Sequence, residues 1–452
     1  MKDIAIIICN FNKKEYLREC LDSLLLSDLD LKTCDIIVVD NASEDGAPQM
    51  IQNEYADEVI LLENQVNSGG AGGFARGIHY AIDRDYDYLV LLDNDIKLEP
   101  NTISALKQHL DSHHDVAIVG SKICTMDSPD ILQELGSFID MEKFNATTPL
   151  KGHKDADDLP EVVECDYVPA CCLIARMEVV RKIGAFDVNH FIYWDDMDWC
   201  TKARELGYKV HAINASRVFH KMGAINTENT FSLYYFERNR VLFFLKHLKE
   251  EDIPKFTNVI AQELINLTFF SNEKKRYNSA ISQLLGISDL ERELLGRQDE
   301  RILKKEQTNP FELFNDKKYF SIIFIPINEM KFSRKIYQDL SNFFELEVII
   351  ATENIDFFTK EFSDAQVVDI NYLEHTDNQL FFYAVEHIMT SPKENTLPEN
   401  SYFIDCFTNV QQAQNIHSFL DSYERYKSIF MNIFKPVFEK KFIAIFKRLH
   451  SI

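Results

Sequence analysis

The sequence predicts an α/β protein with a principal domain around a mainly parallel sheet, then a helical segment, then a smaller α/β domain. Three observations support this. Short, nearly continuous apolar runs alternate with segments of helical spacing, the pattern of strands covered on both faces by crossover helices. Several runs stop at Asn or Asp, where the carboxyl ends of parallel strands line a ligand crevice. The alternation gives way to helix after about residue 230 and resumes near residue 319.

In chain order, IAIIIC (4–9) is a strand ending at Asn10, and Tyr16, Leu17, Cys20, Leu21 and Leu24 after it recur at helical spacing. DIIVVD (35–40), EVILLE (58–63), YLVLLD (88–93) and VAIVG (116–120) are further strands. A loop-rich stretch, GHKDADDLPE (152–161), precedes apolar YVPACCLIA (167–175). Asp196, Trp199, Cys200, Ala203 and Leu206 fit a helix stopped by Gly207, and YKVHAI (208–213) fits a strand. TFSLYYFERNRVLFFLKHLKE (230–250) reads as a helix, and YFSIIFIPI (319–327), LEVIIA (346–351), AQVVDI (365–370) and SYFIDCF (401–407) restart the strand pattern. The expected domains are 1–250, a helical connector over 251–310, and an accessory α/β domain over 311–452.

A formal charge of −24 argues against nucleic acid as a partner, because a phosphate backbone would be repelled. The nine cysteines include no C-x-x-C pair, which suits a reducing compartment. No uncharged run approaches a membrane span and the N-terminus lacks a signal-like apolar region, so a cytoplasmic protein is expected.

Four segments carry candidate chemistry. Asp93 and Asp95 in LLDNDI stand at the end of a buried strand, where both carboxylates can reach a divalent ion and a diphosphate. NQVNSGGAGGFARGIHYA (64–81) sets Gly69, Gly70, Gly72 and Gly73 between strand and helix, a sugar-nucleotide loop with Arg76 as a phosphate contact. Asp40 either accepts hydrogen bonds from a base or ribose or belongs to the cap of the next helix. FIYWDDMDWC (191–200) crowds Asp195, Asp196 and Asp198 between the chain's two tryptophans at a helix start, where aromatic flanks can raise a carboxylate pKa enough for a base. His220 follows and could complete the metal shell begun at Asp95.

Together these residues resemble the inverting family 2 glycosyltransferases of GT-A fold, closest to the bacterial galactofuranosyl- and rhamnosyltransferase branch. The resemblance is carried by Cys9 to Asn12, Val39 to Ser43, Asn67 with Gly69 to Gly77, Asp93 to Asp95, Trp194 to Trp199, His220, and Tyr235 to Arg240. It implies a nucleotide-sugar donor (UDP- or dTDP-linked) bound by Asn10, Asp40, Asn67, Gly70, Arg76, Asp93 and Asn94. It further implies Mn²⁺ or Mg²⁺ on Asp93, Asp95 and His220, Asp196 as general base, and Asp195 and Trp194 holding a glycan or lipid-linked glycan acceptor. A sugar-nucleotide-forming nucleotidyltransferase and a catalytically silent scaffold remain alternatives. A dinucleotide oxidoreductase fits worst, since the first strand-helix turn has no glycine.

The C-terminal stretch KSIFMNIFKPVFEKKFIAIFKRLHSI (427–452) combines an aromatic stripe with the positive charges of Lys435, Lys440, Lys441, Lys447 and Arg448, the composition of an interfacial helix, and Pro436 is expected to break or kink it. The pattern fits either peripheral contact with a membrane or a helix docked as ordinary core on the second α/β unit, and a homo-oligomer is compatible with both.

Overall fold

The computed structural model describes residues 2–450 except 157, 222–229, 274–276, 305–310, 312–313, 315–318, 327–332, 345, 374–375, 377, 386, 392–396 and 406–408. The end of the strand expected at 319–327, and Cys406 and Phe407 of the one expected at 401–407, lie outside the described residues.

The chain divides into two compact units. Unit 1 comprises residues 1–259, 281–305 and 441–452, and unit 2 comprises 260–280 and 306–440. This division interleaves the segments that the sequence suggested as consecutive domains. The reason is packing: in unit 1, Phe442 stacks on Phe256 at 5.5 Å between centroids and Ile445 is buried, so the end of the chain supplies core to its beginning.

Unit 1 opens with alternating strands and helices: β1 (Ile4–Asn10), α1 (Lys14–Leu25), β2 (Cys34–Asp40), α2 (Ala47–Glu54), β3 (Val59–Glu63), α3 (Gly69–Ile82) and β4 (Tyr88–Asp93). These strands are mutually parallel in the order β3-β2-β1-β4. Ile4, Ile6, Ile8, Ile36, Val38, Val90 and Leu92 fill one core cluster with Leu17, Cys20, Leu21 and Leu24 of α1, as the periodicity requires.

Beyond β4 the chain forms β5 (Ile96–Leu98), α4 (Thr102–Ser112), β6 (Val116–Thr125), β7 (Ser128–Glu134) and a hairpin of β8 (Phe138–Asp140) and β9 (Asn145–Thr147). Next come β10 (Val162–Cys165), β11 (Cys172–Arg176), α5 (Met177–Ile183), α6 (Asp195–Glu205), β12 (Lys209–His220), α7 (Thr230–His247), α8 (Ile253–Glu273) and α9 (Tyr277–Glu291). The sheet continues past β4 through β11, β6, β12 and β10, with β11 antiparallel to both its neighbours and β6 parallel to β12. Gly207 follows α6 at φ +87° and donates to the Arg204 carbonyl, the stop expected of it.

Unit 2 holds a second sheet, ordered β15-β14-β13-β16-β17-β18: β13 (Ser321–Pro326), β14 (Glu347–Thr352), β15 (Gln366–Asp369), β16 (Gln379–Ala384), β17 (Ser401–Ile404) and β18 (Val410–Gln412). All but the last pair are parallel, with α10 (Ser333–Phe343) and α11 (Ile355–Glu361) as crossovers. The C-terminal segment forms α12 (Ile416–Ile433) and α13 (Lys435–Leu449). Pro436 sits in the first turn of α13, where a missing N–H costs no intrahelical bond, so it marks a break between helices. No described helix is long and apolar enough to cross a membrane.

Candidate active site at the strand carboxyl ends

The register of unit 1 pairs Asn10 with Asp40 and Cys9 with Asp93, so three strand ends deliver polar groups to one place. Asn10 Nδ2 donates to Asp40 Oδ1 at 2.8 Å, Asn94 Nδ2 donates to Asn10 Oδ1 at 2.6 Å, and Ser43 N donates to Asp40 Oδ2 at 2.8 Å. All of Asn10, Asp40 and Asn94 are buried. These expected donor contacts form a satisfied network, and Asp40 does hold the turn after its strand; each carboxylate oxygen keeps a lone pair for a further donor.

Beside the network stands the expected metal group. His220, at the end of β12, brings Nε2 to 3.2 Å from Asp95 Oδ1 and 3.9 Å from Asp93 Oδ2. Its Nδ1 meets Gln133 Oε1 at 3.0 Å, so an Nδ1–H donates there and leaves Nε2 facing the carboxylates. Asp93, His220 and Cys171 also place one ligand atom each within 4.8 Å of one another. Burial and then the Asp95 charge push Asp93 up to about 6. Against burial, hydrogen bonds from His220 and Lys13 hold Asp95 below the usual range, with Lys13 Nζ 2.5 Å from Asp95 Oδ2. Burial likewise drives the Cys171 thiol well up, which favours carboxylate and imidazole as ligands. Two carboxylates and an imidazole at 3 to 4 Å spacing fit a hard divalent ion.

The residues at the start of α6 divide by side. Asp195 lies next to the first turn of α3, where a Cβ on Gly70 would stand 3.9 Å from its Oδ2. Burial, and then the Asp196 charge, raise Asp195 well above the carboxylate range. Burial raises Asp196 to about 6 against hydrogen bonds from the Met197 and Ala170 backbone. Asp198 turns away and is fully buried, with Lys202, Lys246 and His247 Nε2 at 2.8, 2.5 and 2.9 Å; despite burial these partners hold it well below its usual range. It is an anchor between α6 and α7.

Three sequence expectations change. Trp194 is fully buried against Phe236, Phe243 and Phe244 at 5.2 to 5.6 Å, so it offers no ring face to a sugar; its bulk fixes the start of α6 instead. The glycine cluster is the first turns of α3 and not an open loop. A Cβ on Gly73 would lie 2.1 Å from Cys9 Sγ, and one on Gly77 2.5 Å from Ile7 Cγ2, so these glycines let the helix lie directly on β1. Arg76 is exposed and donates to the Glu63 carbonyl and Asn64 Oδ1 at 2.7 and 2.5 Å, which ties it to the preceding loop. Asn67 accepts from Gly69 N at 2.8 Å and starts that helix.

Gln133 and Glu134 were not visible as site residues. Glu134 lies close enough to Asp196 to feel its charge, and burial lifts it to about 7. Both sit on β7 with nothing in their local spacing to mark them, since a strand edge joins them to His220 and Asp196 only in the fold.

Asp93 and Asp95 with His220 thus form a cluster of carboxylates and a histidine at the ends of the strands, of the kind that can hold a divalent cation. Residues 5–184 match the family model described as Glycosyl transferase family 2, and the chain contains a glycosyltransferase family 2 domain. The galactofuranosyltransferase GlfT2 of Mycolicibacterium smegmatis is 23% identical over 271 residues, covering 54% of this chain and 41% of that protein. GlfT2 of Mycobacterium tuberculosis is 26% identical over 206 residues, covering 42% and 32%. The chain thus spans less than half the length of these two relatives. Among solved structures, S. aureus TarS 1–349 in complex with UDP-GlcNAc is similar at TM-score 0.39 and 12% identity, covering 65% of this chain and 92% of that one.

Proposed function

We propose that the protein transfers a hexosyl group, galactofuranose or a rhamnose-like sugar, from a UDP- or dTDP-linked donor to a glycan hydroxyl with inversion, in bacterial cell-surface polysaccharide synthesis. The observation that carries this reading is the proximity of two carboxylate groups, Asp93 and Asp95 with His220 at the strand ends and Asp195 with Asp196 at the start of α6, close enough for the Asp93 charge to raise both members of the second pair.

Asp195 and Asp196 repel each other's charge, so one is held protonated while the other ionises. Asp196, the lower of the two, accepts the proton of the acceptor hydroxyl as that oxygen attacks the anomeric carbon and the bond to the diphosphate breaks. Protonated Asp195 hydrogen-bonds the acceptor and orients it. Asn10, Asp40 and Asn94 shape the floor on which the nucleotide rests, and Gly70 leaves room beside Asp195. When bound, Mn²⁺ or Mg²⁺ on Asp93, Asp95 and His220 would offset the charge of the diphosphate. The protein works in the cytoplasm, in contact with a lipid-linked acceptor at the membrane face.

Thermal stabilisation by a panel of nucleotide-sugars, with Mn²⁺ or with chelator, tests the reading. A UDP- or dTDP-sugar should raise the melting temperature only with metal, and His220→Ala should remove the gain. Equal stabilisation in chelator would remove the metal role, and pyrophosphate exchange in place of sugar transfer would replace the whole reading with a nucleotidyltransferase.

A further inference from the structure

Among described non-glycine residues, Phe191, Tyr193 and Trp194 have φ of 65°, 67° and 67°, three left-handed residues in the four positions before Asp195. L-residues adopt this region at a cost, and such runs persist only where the surroundings over-determine them. The surroundings here are two side chains of α7 from the segment YYFERNR (234–240), both completely buried. Asn239 Nδ2 donates to the carbonyls of His190, Ile192 and Tyr193 at 2.7, 2.7 and 3.1 Å. Arg238 Nη2 donates to the Asn189 and His190 carbonyls at 3.2 and 3.0 Å, and Nη1 to the Gly296 carbonyl at 2.8 Å. Arg238 Nε also donates to Asn239 Oδ1 at 3.0 Å, which turns the amide so that its N–H groups face the loop. The next residue repeats the device: Arg240 donates to the carbonyls of Lys143 and Phe144, and Phe144 has φ 48°.

We propose that Arg238 and Asn239 are positioning residues, a carbonyl clamp that holds the left-handed run 191–194 and thereby aims Asp195 and Asp196 at the reacting hydroxyl. The inference deepens the reading of those two aspartates as the acceptor-activating pair. Neither clamp residue needs to touch substrate. The carbonyls of His190, Ile192 and Tyr193 all accept from the one Asn239 amide, so the loop is pinned from one helix, and the Phe191 carbonyl, accepting from Ala71 N at 3.2 Å, adds a second tie from α3.

The test compares Asn239→Leu, which keeps volume and removes the donors, with Arg238→Lys, which keeps charge and loses the planar fork. Acrylamide quenching of tryptophan fluorescence reads the loop without catalysis, because Trp194 and Trp199, the chain's tryptophans, are both fully buried. Each variant should show increased quenching, a kcat reduced about a hundredfold by misplacement of the pair, and a donor KM near that of the parent. Should Asn239→Leu fail to fold, Arg238→Lys decides. A folded variant with parental kcat overturns the clamp, whatever its quenching. Asp196→Asn assayed alongside separates the two ideas: if it is inactive while the clamp variants work normally, only the clamp fails. If Asp196→Asn is itself fully active, the site reading fails, and unchanged quenching in the clamp variants then overturns the clamp separately.

Discussion

Replacing Asp196 by asparagine should leave an enzyme that is nearly inactive and yet more stable. Burial raises this carboxyl from 3.8 to about 6, so the folded state binds its proton more tightly than the unfolded chain does. A raised folded pKa means that the stability contribution is full below the unfolded value and is lost as pH rises through the folded one. Some two pK units at 1.36 kcal/mol each place the loss at about 3 kcal/mol near neutral pH. An amide of the same shape keeps the acceptor oxygen for Met197 N, at 2.8 Å in the parent, and carries no charge to desolvate. Differential scanning fluorimetry in chelator should therefore give Asp196→Asn a melting point about 5 °C or more above the parent at neutral pH. The gain should shrink as pH falls below about 6 and vanish by about pH 3, where the parent carboxyl is protonated in both states. Transfer should fall by about 10²- to 10⁴-fold, the usual loss with a general base. Parental transfer below pH 6 should decline about tenfold per unit. A variant no more stable than the parent at neutral pH, or a gain that persists unchanged in acid, would refute the claim that this carboxylate is held desolvated for function.

The two kinds of glycine in α3 should respond oppositely. Gly73→Ala drives a methyl into Cys9 Sγ and should cost roughly 1–3 kcal/mol in urea denaturation, whereas Gly70→Ala, open except for Asp195 Oδ2 at 3.9 Å, should fold normally and change KM. Ile429, Ile433, Phe434 and Val437 are 57%, 59%, 49% and 49% exposed at the junction of α12 and α13, near Lys427, Lys435 and Lys440. Ile433→Asp with Phe434→Asp should move the protein from anionic-liposome pellets to supernatant without loss of secondary structure by circular dichroism. A parent that never pellets would end the membrane proposal.

The first sheet was legible because its strands are apolar on both faces, and the meeting of Asp93, Asp95 and His220 was legible because strand ends are where polar residues interrupt such runs. What a side chain faces was less so. A tryptophan beside two aspartates looks the same in sequence whether it covers a sugar or fills a core, and only the phenylalanines of α7 decide for Trp194. Glycines needed for a helix to lie on a strand, as at Gly73 and Gly77, are indistinguishable from those of an open loop. Gln133 reaches His220 across 87 positions, and no local period encodes such a contact.

The return of residues 441–452 to unit 1 bears on how the protein is made. Synthesis delivers the strands of the first sheet early, but Phe442 and the partners that Lys441 and Arg448 give to Glu291 and Glu293 emerge almost 200 residues after Phe256. Until then the nascent unit 1 exposes the surface that Phe442 and Ile445 later cover, so vectorial folding must wait for nearly the whole of unit 2 to leave the ribosome. A premature stop anywhere in unit 2 therefore strips core from unit 1 itself, and chaperone dependence during translation is the expected cost of completing a core with residues made so late.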